Sequence, residues 1–211
     1  MVDAGHINEA KSAITLLLSY GDLEPPLKQS LMQQVSQPIE GYRLQLEQFI
    51  NQQQPFLVSY GRPDKSLFDF TVYYAELNLI EKRLYLQVWC QEVEDNRDIP
   101  ELKHNRTLRL DRIQALAAID GQWRGQLDSI DVEIHLLRGL ARAYEARFND
   151  VVDERLDDLR RVIRRIHNTF WFFREVHRYG ADCVIVGPEH VRDRYVRELA
   201  NMMALYAPKN R

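Results

Sequence analysis

The sequence predicts an α+β chain in three parts, on three observations. Apolar residues recur at helical spacing before Pro55. Short aromatic and β-branched runs, separated by turns, fill the stretch from Phe56 to about Ile119. Strand-like and helix-like segments then mix from Ile130 onward. The parts read as an N-terminal helical segment over 1–54, a small β-barrel domain over 55–125 and an α+β domain over 126–211.

The helices come first. Ala10, Ala13, Ile14, Leu17 and Leu18 share one helical face, and Gly21 is a natural stop. Pro25 and Pro26 suit the first turn of a second helix with Leu27, Leu31 and Val35 on its face. Pro38 should kink or split that helix. Ile39, Tyr42, Leu46, Phe49 and Ile50 resume the stripe, and Asn51 to Pro55 end it. Two helices also fit a helix-turn-helix, but a recognition helix presents Lys and Arg to phosphates. Residues 1–55 hold only Lys11, Lys28 and Arg43 against six acids, so a packing role is expected.

From Phe56 the period changes to two. Phe56–Tyr60 is a short strand and Gly61–Asp64 a turn. Phe68–Tyr74 is a strand. In Arg83–Trp89, Leu84, Leu86 and Val88 alternate with Tyr85, Gln87 and Trp89. Glu92–Pro100 is an acidic loop. Arg106–Ile113 alternates again, with Leu108 and Leu110 opposite Thr107, Arg109 and Asp111, and Gln114–Ile119 gives one more strand.

The chain has 211 residues and a net charge of −3, which excludes a uniformly basic nucleic-acid coat but allows a local patch. No apolar run reaches the roughly 20 residues of a membrane helix. Ala13–Leu18 lacks the flanks of a signal peptide. Two cysteines, Cys90 and Cys183, are too few for a disulfide framework and fit a cytoplasmic setting. One local excess of bases stands out. Lys103, Arg106, Arg109, Arg112 and Arg124 outnumber Asp111 and Asp120 over 103–124. Arginine forks suit phosphate and nearby aromatics suit base stacking. The alternative is that these arginines pair with Asp111 or with the loop acids Glu92, Glu94, Asp95 and Asp98, and spacing alone favours it.

Leu84-Tyr-Leu86, followed some twenty residues later by Arg106-Thr-Leu-Arg-Leu-Asp-Arg-Ile113, resembles the WYL domain. That family has a Trp-Tyr-Leu strand and a second block of the form Arg-x-Phe-Arg-Leu-Asp-Arg-Ile. Leu84 stands for the Trp and Leu108 for the Phe. The preceding strand, Phe68–Tyr74, lacks the family's Arg and Pro. The resemblance implies a small Sm-like, SH3-type barrel. It extends to the C-terminus, where WYL proteins often carry a WCX extension of ferredoxin-like α+β layout. The matching run is Phe172-Phe-Arg-Glu-Val-His-Arg-Tyr-Gly180, then a strand, Pro188 and a final helix.

The residues there read compatibly. Ile130–Leu137 alternates as a strand, and Leu140–Phe148 is a helix candidate. Thr169 can cap a helix running through His177, closed by Gly180. Asp182–Val186 is a buried-strand run. The last helix should bury Val191, Tyr195, Leu199, Met202 and Tyr206. Over 151–167, Val152, Leu156, Leu159, Ile163 and Ile166 have helical spacing, but the family places a hairpin and strand there, and strand is the expectation. Arg160, Arg161, Arg164 and Arg165, with Arg174 and Arg178, make 160–178 the most basic stretch. It reads either as a possible nucleic-acid-binding face or as a solvated, partly paired strand face.

No metal-ligand spacing, phosphate loop, dinucleotide fingerprint or catalytic set occurs, so neither enzyme activity nor a cofactor is expected. The resemblance implies a ligand-sensing transcription regulator. Related proteins are linked to CRISPR and other phage-defence loci or to the DNA-damage response, and commonly dimerise. Most carry an N-terminal winged helix, which the acidic first 55 residues do not resemble. Here a single-stranded nucleic acid or cyclic oligonucleotide would bind the barrel, with Arg106, Arg109 and Arg112 on phosphate and Tyr60 and Tyr85 stacking or hydrogen bonding. A homodimer would pass the signal on, and duplex DNA is a further possible partner. The alternative is an adaptor whose barrel binds a protein, such as a defence nuclease.

Overall fold

A computed structural model of the protein describes residues 39–62, 66–81 and 83–207. The helices expected before Pro38 lie outside the described residues. The chain forms two units. Among the described residues, the barrel unit lies within 39–94 and 106–127, and the C-terminal unit within 95–105 and 128–207.

In the barrel unit, helix α1 (Ile39–Asn51) precedes strands β1 (Phe56–Gly61), β2 (Leu67–Ile80), β3 (Arg83–Cys90), β4 (Asn105–Arg109) and β5 (Ile113–Ala118). They form one sheet in the order β4-β3-β2-β1-β5. β4 and β5 are its two edges, yet only the 3-10 turn Leu110–Arg112 joins them. Four residue steps reach at most about 14 Å. A flat sheet would hold those edges roughly 19 Å apart. The sheet must therefore curl, and bulges at Tyr73 on β2 and at Gln114 on β5, opposite the Ser59–Tyr60 step of β1, help it bend. Its inner face buries Phe56, Val58, Phe70, Val72, Leu86, Val88 and Leu108. As its spacing predicts, α1 caps this core through Leu46, with Phe49 stacked on Phe56 at 5.1 Å between ring centroids.

Two expectations change here. The strand expected over Arg106–Ile113 is interrupted by that 3-10 turn, because the chain must cross from one edge to the other. β2 runs well past Tyr74, since Ala75–Ile80 continues to pair with β3.

The C-terminal unit contains β6 (Ile130–Leu137), α2 (Arg138–Ala143), β7 (Asp150–Leu156), β8 (Leu159–Ile166), α3 (Thr169–Tyr179), β9 (Cys183–Gly187) and α4 (Glu189–Tyr206). Its antiparallel sheet has the order β7-β8-β6-β9, the ferredoxin-like split βαβ arrangement. The hairpin expected over 151–167 is present. Val132, Ile134, Leu136, Val162, Ile166 and Ile185 form the buried face with Phe172, Phe173 and Val176.

Details of this unit differ from the expectation. Ile99 and Leu102 join its core, so residues 95–105 belong here rather than with the barrel. Asp98 fixes that excursion, accepting from the Thr169 N–H at 3.1 Å and its hydroxyl at 2.5 Å. Asn168, not Thr169, is the N-cap of α3, accepting from the Trp171 N–H at 3.1 Å. α2 stops at Ala143, and Phe148 is fully exposed. Of the face expected on α4, Val191 is buried and Tyr195 packs on the core. Leu199, Met202 and Tyr206 are exposed by 36 %, 42 % and 88 %.

Candidate functional site

The end of β4 brings three of the nominated barrel residues together. Tyr60, at the end of β1, has its ring in the core, and its hydroxyl oxygen accepts from the Arg109 N–H at 3.2 Å. Tyr85 is outward-facing on β3, opposite Asn78 of β2. Both tyrosines lie close enough to act electrostatically on the Arg109 guanidinium. That guanidinium grips Asp111 with two hydrogen bonds, Nε to Oδ1 at 3.0 Å and Nη2 to Oδ2. This grip is the main reason its pKa lies above the ordinary arginine value. The Arg109 side chain keeps 32 % of its surface in solvent. A guanidinium has five donors and Asp111 occupies two, so three remain to meet an anion.

Arg106 and Arg112 do not share this arrangement. The Arg106 guanidinium lies 4.6 Å from the Phe70 centroid and donates to the Glu92 carbonyl at 3.0 Å. Its Nε is buried without a hydrogen-bond partner. Arg106 thus belongs to the barrel wall, and its nomination as a phosphate contact is revised on that ground. Arg112 is half-buried in the 3-10 turn, which breaks the register that linked it to Arg106.

Sequence reasoning did not nominate the far end of β3. Trp89 lies on the same face as Tyr85 and Gln87, because strand side chains alternate. Arg124 sits 4.5 Å from the Trp89 ring centroid, and Tyr73 meets the ring edge-on at 6.1 Å. The loop carrying Arg124 is tied down: its N–H donates to the Tyr73 carbonyl at 2.8 Å, and Trp123 packs on Tyr74 at 5.6 Å. Gly121 allows this approach. A Cβ there would meet the Tyr73 ring at 2.9 Å, and its φ of +153° disfavours any other residue. The Tyr85-Gln87-Trp89 alternation was the available signal; the position of Arg124 was not readable from spacing.

The basic stretch of the C-terminal unit is not a free cationic face. β8 sends Arg160 and Arg164 inward and Arg161 and Arg165 outward. Arg160 holds Asp153 at 2.5 and 2.6 Å. Arg164, 2 % exposed, holds Asp150 at 2.7 Å and also Glu175 and the Tyr144 hydroxyl. Arg161 reaches Glu133 at 2.9 Å and Glu154 at 3.1 Å, and Arg165 reaches Asp131 at 2.9 and 3.0 Å. The second nucleic-acid face expected on these four arginines is corrected: each is matched by carboxylates from β6, β7 or α3.

Electrostatics agree with the geometry. Burial alone would raise the Asp150 pKa, but hydrogen bonds from Arg164, Tyr144 and the Arg147 N–H hold it below the ordinary carboxylate value. The Arg160 hydrogen bonds lower Asp153. Burial also governs both thiols, pushing Cys90 in the barrel core up to about 11, against the opposing pull of Arg106, and Cys183 in the other core up to about 12. Among the described residues no cluster of three or more His, Cys, Asp or Glu could hold a metal ion. No described helix is long and apolar enough to cross a membrane.

A curled five-stranded sheet with an arginine–tyrosine cluster, followed by a split βαβ unit, defines a two-unit α+β protein. Residues 128–203, about a third of the chain, match the model of the WCX domain family, so the C-terminal unit is similar to a WCX domain. Two solved structures are similar. One is proteasome accessory factor B/C (PafBC) of Arthrobacter aurescens, with 16 % identity, 95 % of this chain and 36 % of that chain covered, and a TM-score of 0.35. The other is a CRISPR Cas-related protein, with 10 % identity, 87 % and 55 % covered, and a TM-score of 0.45. This chain thus spans about a third of the first and about half of the second. No curated protein gives a match.

Proposed function

We propose that this protein is a ligand-sensing regulator of the WYL type. Its barrel unit binds a single-stranded nucleic acid or a nucleotide-type ligand, and it controls transcription by binding rather than by catalysis, as a homodimer. One observation carries this reading. Arg109 is held half-exposed in a fixed orientation by Asp111, with Tyr60 and Tyr85 beside it. Such a fork is oriented for phosphate. The WCX domain supports the placement among regulators of this type.

The test is fluorescence anisotropy with single-stranded DNA, single-stranded RNA and duplex DNA across a salt series. Salt-dependent binding to single strands is expected, and Arg109→Ala should weaken it and reduce the salt slope by about 0.7. Unchanged affinity and slope would remove Arg109 from the site. Absence of binding to every nucleic acid and to a cyclic dinucleotide would overturn the reading and favour a protein-binding adaptor.

A further inference from the structure

We infer that residues 95–105 act as a coupling strap: the C-terminal unit holds the start of β4, and through it sets the stability of the strand end that presents Arg109. The inference takes the Arg109 site from the proposed function and adds its regulation, but the strap itself is testable without any ligand.

The argument begins with connectivity. The chain leaves β3 at Cys90, enters the C-terminal unit over 95–105 and returns along β4. Three sets of contacts hold this excursion. Ile99 and Leu102 lie in the core that Val132, Ile134 and Phe173 fill. The Asp98 carboxylate accepts from the Thr169 N–H and hydroxyl at the first turn of α3, where a negative charge meets the positive end of the helix dipole. Asn105, only 3 % exposed, donates from Nδ2 to the Asp128 and His167 carbonyls at 2.7 and 2.9 Å and accepts from the Asp128 N–H at 3.1 Å. Asn96 joins these anchors into one piece. Its Nδ2 donates to the Lys103 and Asn105 carbonyls at 2.8 and 2.7 Å, and its Oδ1 accepts from the Asp98 N–H at 3.0 Å.

Asn105 is also the first residue of β4, and Arg109 is its last. The four steps between them span about 13 Å of extended chain, with no loop to absorb a shift. The far end is held in the barrel, where Leu108 is buried and the Arg109 N–H donates to the Tyr60 hydroxyl oxygen. β4 is a sheet edge, so among the described residues only β3 pairs with it. A strand this short, paired on one side and anchored at its start by a buried amide, opens when the anchor opens. Linkage makes the effect mutual: a ligand that steadies Arg109 steadies the Asp98–Thr169 contact to the same extent.

Amide hydrogen exchange of the full chain, without ligand, tests the strap. Thr169→Val keeps the shape of the side chain and removes one donor to the Asp98 carboxylate. It should speed exchange over 106–109 about tenfold, as the loss of one hydrogen bond to a charged group implies. β1 and β2 should exchange as in the parent. Asn105→Ala should act in the same direction and more strongly, and Thr169→Val keeps the test valid if Asn105→Ala does not fold. Unchanged exchange over 106–109 would overturn the inference, since the segment would then serve the C-terminal unit alone. Equal acceleration of β1, β2 and β4 would overturn it too, by showing a general loosening. A thymidylate octamer separates the inference from the function beneath it. At saturation it should slow exchange of the Thr169 amide several-fold in the parent and not in Asn105→Ala. Protection of 106–109 without Thr169 would overturn the inference and leave the proposed function standing. An octamer that fails to bind would count against the proposed function alone, and the ligand-free exchange would still decide the strap.

Discussion

In the C-terminal unit Arg160 and Arg164 are 6 % and 2 % exposed, each clasped by carboxylates, whereas in the barrel unit Arg109 stands at the surface gripping Asp111. Both regions are arginine-rich in sequence. What separates them is what faces each strand. β8 runs between β6 and β7, which present Asp131, Glu133, Asp153 and Glu154 to it, and α3 supplies Glu175. In the barrel, β4 is an edge, and the carboxylate that Arg109 grips comes from its own turn. Density of positive charge along a chain therefore says little about anion binding until the acids opposite each strand are placed.

The contrast is broken most severely at Arg164. Replacing it with Ala leaves Asp150 and the Glu175 carboxylate without their buried cation, and such uncompensated burial costs about 3–5 kcal/mol. Urea unfolding should show a large loss confined to the C-terminal unit. Arg164→Lys should recover only part, because an ammonium cannot serve Asp150, Glu175 and Tyr144 with the same fork.

Next in size is the response to acid. Asp150 and Asp153 have folded pKa values below their unfolded ones. Their stabilisation is therefore complete above the unfolded carboxylate pKa of about 3.9 and is lost as pH falls through the lower folded values. Urea midpoints of the C-terminal unit should drop below about pH 4, and Asp153→Asn should flatten that drop. A midpoint independent of pH across this range would contradict the ion-pair assignment.

Arg109 should behave in the opposite sense to Arg164. Arg109→Ala breaks an exposed pair and should cost at most ~1 kcal/mol of stability, while its effect should fall on ligand affinity. Asp111→Asn sharpens the point. It releases the fork but removes a negative charge beside it, so affinity should become more salt-dependent than in the parent. The smallest effect is expected at Arg165, whose partner Asp131 is also exposed. Arg165→Ala should change neither the unfolding midpoint nor nucleic-acid binding measurably.

Much of this architecture was legible before any coordinates. The alternation of Leu84, Leu86 and Val88 places β3 correctly, and Ile130–Leu137 is β6 residue for residue. The hairpin around Asp157 is a different matter, since Val152, Leu156, Leu159, Ile163 and Ile166 fit a helix equally well. Only the resemblance decided it. The misses share one cause, long-range contact. α2 ends at Ala143 because Tyr144 turns extended, where its hydroxyl meets Asp150 and Arg164. Residues 95–105 leave the barrel because Ile99 and Leu102 find a core elsewhere. At the site, Tyr60 accepts from the Arg109 N–H, while Arg106 is diverted by Phe70 and the Glu92 carbonyl. Nothing local in the sequence marks that diversion.

The two free cysteines have a consequence for how ligand binding could be followed in each unit. Each core holds one thiol, buried and poorly ionised, Cys90 in the barrel and Cys183 in the C-terminal unit. A thiolate is the reactive form, so alkylation at neutral pH must wait for the surrounding core to open. The protein thus carries a separate clock for each half. Ligand that steadies only the barrel would slow the labelling of Cys90 and leave Cys183 at its old rate. Slowing at both would measure, in free energy, how much of the binding event reaches the C-terminal unit.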